Sequence, residues 1–141
     1  MPYGHRHWQL NPDKLREASQ HLKRANIRSC DFEGNKYKIK PHDLVFLDPP
    51  YTVSHNDNGF IKYNRNLFSL EDQHRLSRFI DYIKRKDAYY ILTNAAHDTI
   101  AEIFEKENDR RIELQRASLI GGINARREHV TEYVFTNLPE G

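Results

Sequence analysis

The stretch that decides the fold of this chain is Asp43-Leu-Val-Phe-Leu-Asp-Pro-Pro-Tyr51. Its run of four apolar residues predicts a short strand that is buried on both faces, as in the centre of a parallel sheet. The Pro49-Pro50 pair ends this strand, because proline lacks a backbone N–H and has a fixed φ angle. Asp48 and Tyr51 are therefore expected at the carboxyl end of the strand, where open α/β sheets bind ligands.

The residues after this strand are suited to hold an exocyclic amino group. In an amine such as N6 of adenine, the nitrogen lone pair is delocalised into the ring, so the nitrogen is a poor nucleophile until acceptors bind its two hydrogens. We predict that the Asp48 carboxylate and the Pro49 carbonyl are these acceptors, and that Pro50 completes the turn. The Tyr51 ring offers a flat face on which an unstacked base can lie. The alternative is a plain strand-to-turn transition, since Asp-Pro is common in turns.

Other segments extend this motif into a family pattern. In order, they are Cys30-Asp31-Phe32, Asp48-Pro-Pro-Tyr51, Asn58-Gly-Phe60 with Tyr63 and Phe68, and Ser69-Leu-Glu-Asp-Gln73. From about residue 2 to residue 137, the chain resembles the Dam-type DNA adenine-N6 methyltransferases, the D12 class. The resemblance implies an α/β, Rossmann-like methyltransferase fold. It also implies methyl transfer from S-adenosylmethionine to N6 of a flipped adenine in double-stranded DNA.

The resemblance also implies roles for individual residues. Asp48, Pro49 and Tyr51 would hold the flipped adenine. Asp31 and Phe32 would border the adenine ring of S-adenosylmethionine, and Asp48 would reach the same cofactor site.

Several short segments are expected to contact DNA. His5, Arg6 and His7 fall where the resemblance places the end of a DNA-facing hairpin, and Arg126 with Arg127 would meet phosphates from a loop near the site. Asn58 belongs to a segment that would close over the flipped base. The alternatives are an exposed basic start and solvated loops.

Two family features are missing from this sequence, the glycine-rich loop and most of the target-recognition region that follows it. Members of the family begin with a Phe-x-Gly-x-Gly loop that holds the methionine end of the cofactor, whereas this chain has six glycines and no G-x-G. We therefore expect the C-terminal part of such an enzyme, with residues 1–10 as a remnant of the target-recognition region and 11–141 as catalytic domain. The strand at 44–47 would lack a neighbour, so a separate N-terminal half or self-association through the exposed sheet edge is expected.

Composition limits how the chain could bind DNA and in which compartment it is expected. Lys and Arg number 22 against 20 Asp and Glu, so any affinity for DNA must come from local patches rather than from net charge. The single cysteine excludes an intrachain disulfide. No apolar run approaches the roughly 18 residues of a membrane span, and the first residues lack the apolar stretch of a signal peptide. We expect a cytoplasmic protein without a membrane partner.

Periodicity and capping signals predict alternating helices and strands. The first helix would begin after Asn11 and end near residue 26, the second would begin at a capping box of Ser69 and Asp72, and the third would be capped by Asp98. The third helix would span 98–107. The strands are expected at 27–32, 44–47, 89–92, 112–119 and 130–136, with an extended segment at 36–40. The last two strands would form a hairpin.

Three other groups of residues could indicate a different reaction, a metal site or a further contact. Cys30 could be the nucleophile of a cytosine-C5 methyltransferase, but we expect a small buried residue in a strand there. The histidines form no H-x-x-x-H pair, so no metal site is predicted. Thr93 and Asn94 end the next strand, where they would either contact the target or cofactor edge or be an ordinary strand terminus.

Three functions therefore stay open at this point. The first is the catalytic part of a DNA adenine-N6 methyltransferase that is inactive as the isolated chain. The second is an inactive remnant that keeps residual DNA contact. The third is an amino-methyltransferase acting on RNA or on a protein amide, although Asp48, where those families more often have Asn, favours DNA.

Overall fold

The computed structural model describes residues 11–51, 68–117 and 129–140. The chain divides into two compact units, Met1–Phe32 and Glu33–Gly141. Among the described residues, no helix is long and apolar enough to cross a bilayer.

Helix α1, Pro12–Leu22, begins where the sequence predicts and ends earlier. The Oδ1 atom of Asn11 accepts hydrogen bonds from the backbone N–H groups of Asp13 and Lys14, at 3.1 and 3.2 Å. No residue of α1 is buried. The helix ends four residues before the predicted position near residue 26, because an unpacked apolar face gives little support to further turns.

The strand predicted for residues 27–32 is wrong. No strand forms in this segment, and Ile27 is 73% exposed. A strand needs a neighbour for its backbone N–H and C=O groups, and none of the four described strands pairs with this segment. Cys30 is exposed, so the expectation of a small buried residue is also wrong.

The extended segment predicted for residues 36–40 is wrong as well. Residues Phe32–Lys38 form a 3-10 helix, whose hydrogen bonds join residues three apart and need no partner strand. Tyr37 is 82% exposed, so the weak alternation of polar and apolar residues here does not reflect a buried face.

Four described strands form one mixed sheet in the second unit. They are β1 (Leu44–Leu47), β2 (Tyr89–Ala95), β3 (Arg110–Ala117) and β4 (His129–Thr136), in the spatial order β1-β2-β4-β3. Strands β1 and β2 are parallel, and β4 is antiparallel to β2 and β3. The position of β1 and the terminal antiparallel pair confirm the sequence predictions. Residues 118–128, between β3 and β4, lie outside the described residues.

Helix α2, Leu70–Arg85, begins at the predicted capping box. The Ser69 Oγ atom accepts a hydrogen bond from the Asp72 backbone N–H at 3.1 Å, and the Ser69 backbone N–H donates to Asp72 Oδ2 at 2.8 Å. The Asp72 carboxylate accepts hydrogen bonds from the Ser69 backbone N–H, the Ser69 hydroxyl and Arg75, and these bonds lower its pKa. The buried side of α2 contains Leu76, Phe79, Ile80 and Ile83, as the helical spacing predicts.

Helix α3, Asp98–Phe104, is shorter than predicted and has a different cap. The cap is His97, whose Nδ1 atom accepts a hydrogen bond from the Thr99 backbone N–H at 3.1 Å. The expectation that Asp98 caps the helix is therefore wrong. Asp98 is the first helical residue, where its negative charge interacts favourably with the positive end of the helix dipole.

The two faces of the sheet differ in burial. The covered face carries Leu47, Leu92 and Phe135, which are 8%, 0% and 1% exposed, and α2 and α3 contribute to its packing. The open face carries residues that alternate with these along the strands. Its apolar members on the outer strands β1 and β3, which are Leu44, Phe46, Ile112 and Leu114, are 40–63% exposed, and those on the inner strands, Ile91 and Val134, are half-buried. The expectation that β1 is buried on both faces is therefore wrong. Among the described strands β1 stands at the end of the sheet, with β2 as its neighbour.

Candidate active site

The proline motif lies at the edge of the sheet where β1 and β2 both end, which we call the carboxyl edge. The two strands share this edge because they are parallel, and β4 begins there because it is antiparallel to β2. Asp48 directly follows β1, and Glu132 of β4 is paired with Ala95, the last residue of β2. Open α/β sheets bind ligands at such an edge.

The Asp48 carboxylate is held by the neighbouring strand. Thr93 Oγ1 of β2 donates a hydrogen bond to Asp48 Oδ1 at 2.8 Å. Asp48 is exposed and Thr93 is half-buried, and both belong to the open face. With Oδ1 occupied by Thr93, Oδ2 is available to accept a hydrogen from a bound amine.

Tyr51 is held by a more distant strand. Its hydroxyl donates a hydrogen bond to Glu132 Oε1 at 2.9 Å, and both residues are half-buried. Since β2 lies between β1 and β4 in the sheet, this hydrogen bond connects the residue that follows Pro50 to a strand beyond β2. The motif therefore contacts both β2 and β4.

Thr93 and Asn94 have opposite surroundings. Asn94 is fully buried on the covered face, where its Nδ2 atom donates to Gln73 Oε1 of α2 at 3.0 Å and its Oδ1 accepts from the Ala95 backbone N–H at 2.9 Å. Buried amides require such partners. Of the two expected strand-end residues, Thr93 therefore contacts the motif, and Asn94 joins α2 to β2.

The remaining predicted residues are only partly described. Pro49 is half-buried and Pro50 is exposed, and they follow β1 without strand structure. Asp31 is exposed and Phe32 is half-buried at the end of the first unit, and their relation to Asp48 stays a prediction. The predicted DNA contacts lie outside the described residues: His5, Arg6, His7, Asn58, Arg126 and Arg127.

Two features of this site were not found from the sequence. Glu132 was not singled out, because it lies 81 residues from Tyr51 and no local pattern connects the two. Gln73 was named only as part of the family pattern, yet it is fully buried against Asn94. As for metals, no group of three or more His, Cys, Asp or Glu among the described residues is arranged to hold an ion.

Comparison with known proteins gives consistent matches. The chain is 26% identical over 143 residues to the Type II methyltransferase M.MjaIII of Methanocaldococcus jannaschii, a match that covers 97% of this chain and 48% of that protein. It is 27% identical over 107 residues to the DNA adenine methylase of Haemophilus influenzae, covering 74% of this chain and 37% of the relative. It is also 32% identical over 68 residues to the DNA N-6-adenine-methyltransferase of Escherichia phage P1, covering 48% and 9%.

The chain thus spans about half, or less, of the length of these curated relatives. The sequence model of one family matches residues 1–118, which is most of the chain, and this family implies an S-adenosylmethionine-dependent methyltransferase fold for the mixed α/β architecture. On this match, the chain belongs to the D12 class N6 adenine-specific DNA methyltransferase family.

Proposed function

We propose that this chain supplies the part of a DNA adenine-N6 methyltransferase that holds the target base. The observation that carries the proposal is the Asp48 carboxylate at the carboxyl edge, with one oxygen bonded to Thr93 and the other available. The family implies DNA as the substrate and S-adenosylmethionine as the methyl donor in general.

In this proposal, Asp48 and Pro49 activate the amine. The Asp48 carboxylate and the Pro49 carbonyl accept the two N6 hydrogens, which localises the lone pair on nitrogen. S-adenosylmethionine, when bound, supplies the electrophilic methyl group. As N6 becomes positively charged, the Asp48 carboxylate stabilises that charge and is placed to take the proton, and one preorganised contact of this kind typically contributes about 10² to 10³ in rate.

Tyr51 would hold the ring of the flipped base. Stacking of a base on an aromatic side chain is worth about 1–3 kcal/mol. It requires only the flat face of the base and no hydrogen bond to it. Pro50 would complete the turn that separates the acceptors from the stacking ring.

The cofactor residues on this chain would be Asp31, Phe32 and Asp48. Asp31 is exposed and Phe32 is half-buried, and their proposed place beside the adenine of the cofactor is what the family resemblance implies. No G-x-G is present to hold the methionine end, so these residues fit only part of the group. We propose that a glycine-loop half, or a second copy of the chain, associates at β1, where Leu44 and Phe46 are exposed.

The proposed DNA contacts are residues that the sequence identifies outside the described part of the chain: His5, Arg6, His7, Asn58, Arg126 and Arg127. The arginines would bind DNA phosphates through charge-assisted hydrogen bonds. Because its substrate is intracellular DNA, the proposed activity belongs in the cytoplasm.

A second candidate is an inactive remnant that keeps DNA contact. An experiment separates the two. The chain is combined with the glycine-loop half of a D12 relative, and single-turnover methylation of an adenine-containing duplex is measured for wild type and Asp48→Ala. We expect the substitution to lower the rate about 10²- to 10³-fold.

A matched control is Asp43→Asn, which changes a carboxylate at the opposite end of the same strand, where Asp43 accepts from the Lys40 backbone N–H. Near-normal rates for Asp48→Ala would refute the proposal. Methylation of RNA or a protein amide in place of DNA would refute the substrate assignment.

A further inference from the structure

The motif leaves β1 without strand structure, so the strand ladder does not fix its side chains. Two side-chain hydrogen bonds join it to other strands: Thr93 of β2 binds Asp48, and Glu132 of β4 binds Tyr51. The two anchors lie at the two ends of the four-residue motif. Both come from strands that the rest of the sheet holds in register.

We propose that Thr93 and Glu132 are positioning residues, which orient the Asp48 carboxylate and the Tyr51 ring for the target amine. The inference rests on the proposed function and extends it to residues outside the proline motif.

Thr93 would act by restricting rotation of the Asp48 carboxylate. An exposed carboxylate has several rotamers, and only those with an oxygen directed at N6 are productive. The 2.8 Å bond from Thr93 Oγ1 holds Oδ1 against β2. Oδ2 is then left as the acceptor for the amine. Catalytic groups that must be held within a fraction of an ångström depend on such support.

Glu132 would act by fixing the direction of the Tyr51 ring. Stacking requires the ring plane to be parallel to the base, and the sequence alone suggests that the ring suffices. The hydroxyl bond to Glu132 gives the hydroxyl a role as well, because it anchors the far end of the ring to β4. Loss of the hydroxyl should therefore weaken base holding even though the ring is kept.

The first test uses the 141-residue chain alone and needs no methyl transfer. The χ1 rotamers of Asp48 are measured by NMR, from three-bond scalar couplings, in wild type, Thr93→Val and Thr93→Ser. Thr93→Val removes the bond that holds Oδ1, so the Asp48 side chain should change from one dominant rotamer to an average over several, and Thr93→Ser, which keeps the hydroxyl, should leave the couplings unchanged.

The second test uses the chain combined with a glycine-loop half. Thr93→Val should lower kcat about tenfold with little change in KM for DNA, and Thr93→Ser should restore it. Glu132→Ala and Tyr51→Phe should each lower kcat/KM about three- to tenfold, without adding in the double variant, because both remove the same bond. Glu132→Gln keeps an acceptor oxygen, so it should lower kcat/KM less than Glu132→Ala does. Glu113→Gln, an exposed acid on β3, is the matched control.

The outcomes distinguish this inference from the function on which it rests. If Asp48→Ala abolishes methylation while Thr93→Val changes neither the Asp48 rotamers nor kcat, the positioning role of Thr93 is refuted and the proposed function stands. Additive losses for Tyr51→Phe and Glu132→Ala would refute the role of Glu132 in the same way. If Asp48→Ala has no effect, the proposed function fails, whatever the NMR result.

Discussion

The covered face and the open face of the sheet carry different kinds of residue. On the covered face, Leu92 and Phe135 are at most 1% exposed. On the open face, Phe46 is 63% exposed, and the polar pair Asp48 and Thr93 lies at the carboxyl edge. Apolar burial therefore stabilises the unit from one side, and the groups proposed to hold the base occupy the side that a ligand can reach.

The largest difference should appear between two phenylalanines. Phe135→Ala removes a side chain that is 1% exposed and contacts the Phe104 ring, so we expect a loss of about 3–5 kcal/mol in the free energy of unfolding. Phe46→Ala removes one that is 63% exposed, and its cost should stay within about 0.5 kcal/mol. Urea unfolding of the chain at several protein concentrations measures both. If Phe46→Ala lost as much free energy of unfolding as Phe135→Ala, the open face would be covered in solution, and the contrast between the two faces would be wrong.

Two neighbouring residues of β2 should separate stability from activity. Asn94→Ala removes the hydrogen bond that Asn94 donates to the buried Gln73 Oε1, so the free energy of unfolding should fall by about 1–3 kcal/mol. Thr93→Val should leave stability within about 0.5 kcal/mol and act on methyl transfer instead. Thermal unfolding and single-turnover assays on both variants make this comparison. It would be contradicted if Thr93→Val were the less stable of the two.

The smallest effect concerns the start of α2, which contributes to the covered face. Ser69→Ala removes the capping box and should cost about 1 kcal/mol at neutral pH. The Ser69 backbone N–H, the Ser69 hydroxyl and Arg75 lower the pKa of Asp72 below its ordinary value of 3.8. Because the folded pKa is the lower one, this stabilisation is present above pH 3.8 and is lost as the pH falls through the folded value.

The difference in the free energy of unfolding between wild type and Ser69→Ala should therefore become smaller between pH 7 and pH 2, and the part that remains is the bond from the Asp72 backbone N–H to Ser69 Oγ, which does not depend on charge. A constant difference across this range would mean that the charge of Asp72 contributes nothing to the cap.

The elements that could be predicted from the sequence are those with local causes. The bounds of β1 follow from four apolar residues and two prolines, and the start of α2 follows from a capping box four residues long. The strand at 27–32 failed because pairing depends on a distant partner. The exposure of Leu44 and Phe46 was missed because the residues themselves do not reveal what packs on a face.

The same reasoning applies to the site. Asp48 and Tyr51 stand in a contiguous motif, so the sequence identifies them as candidates. Thr93 was noticed as a strand end, but its bond to Asp48 depends on the parallel register of β1 and β2. Glu132 could not be found, because its contact with Tyr51 requires β4 to lie next to β2.

The central claim is that this chain carries the base-holding part of a methyltransferase site whose cofactor part is completed by another polypeptide segment. The most direct measurement is the yield of N6-methyladenine in duplex DNA, for the 141-residue chain alone and for the chain combined with a glycine-loop half. We expect no product from the chain alone, and Asp48-dependent product from the combination. Turnover by a monomer of the chain alone, or product from the combination that is unaffected by Asp48→Ala, would contradict the account.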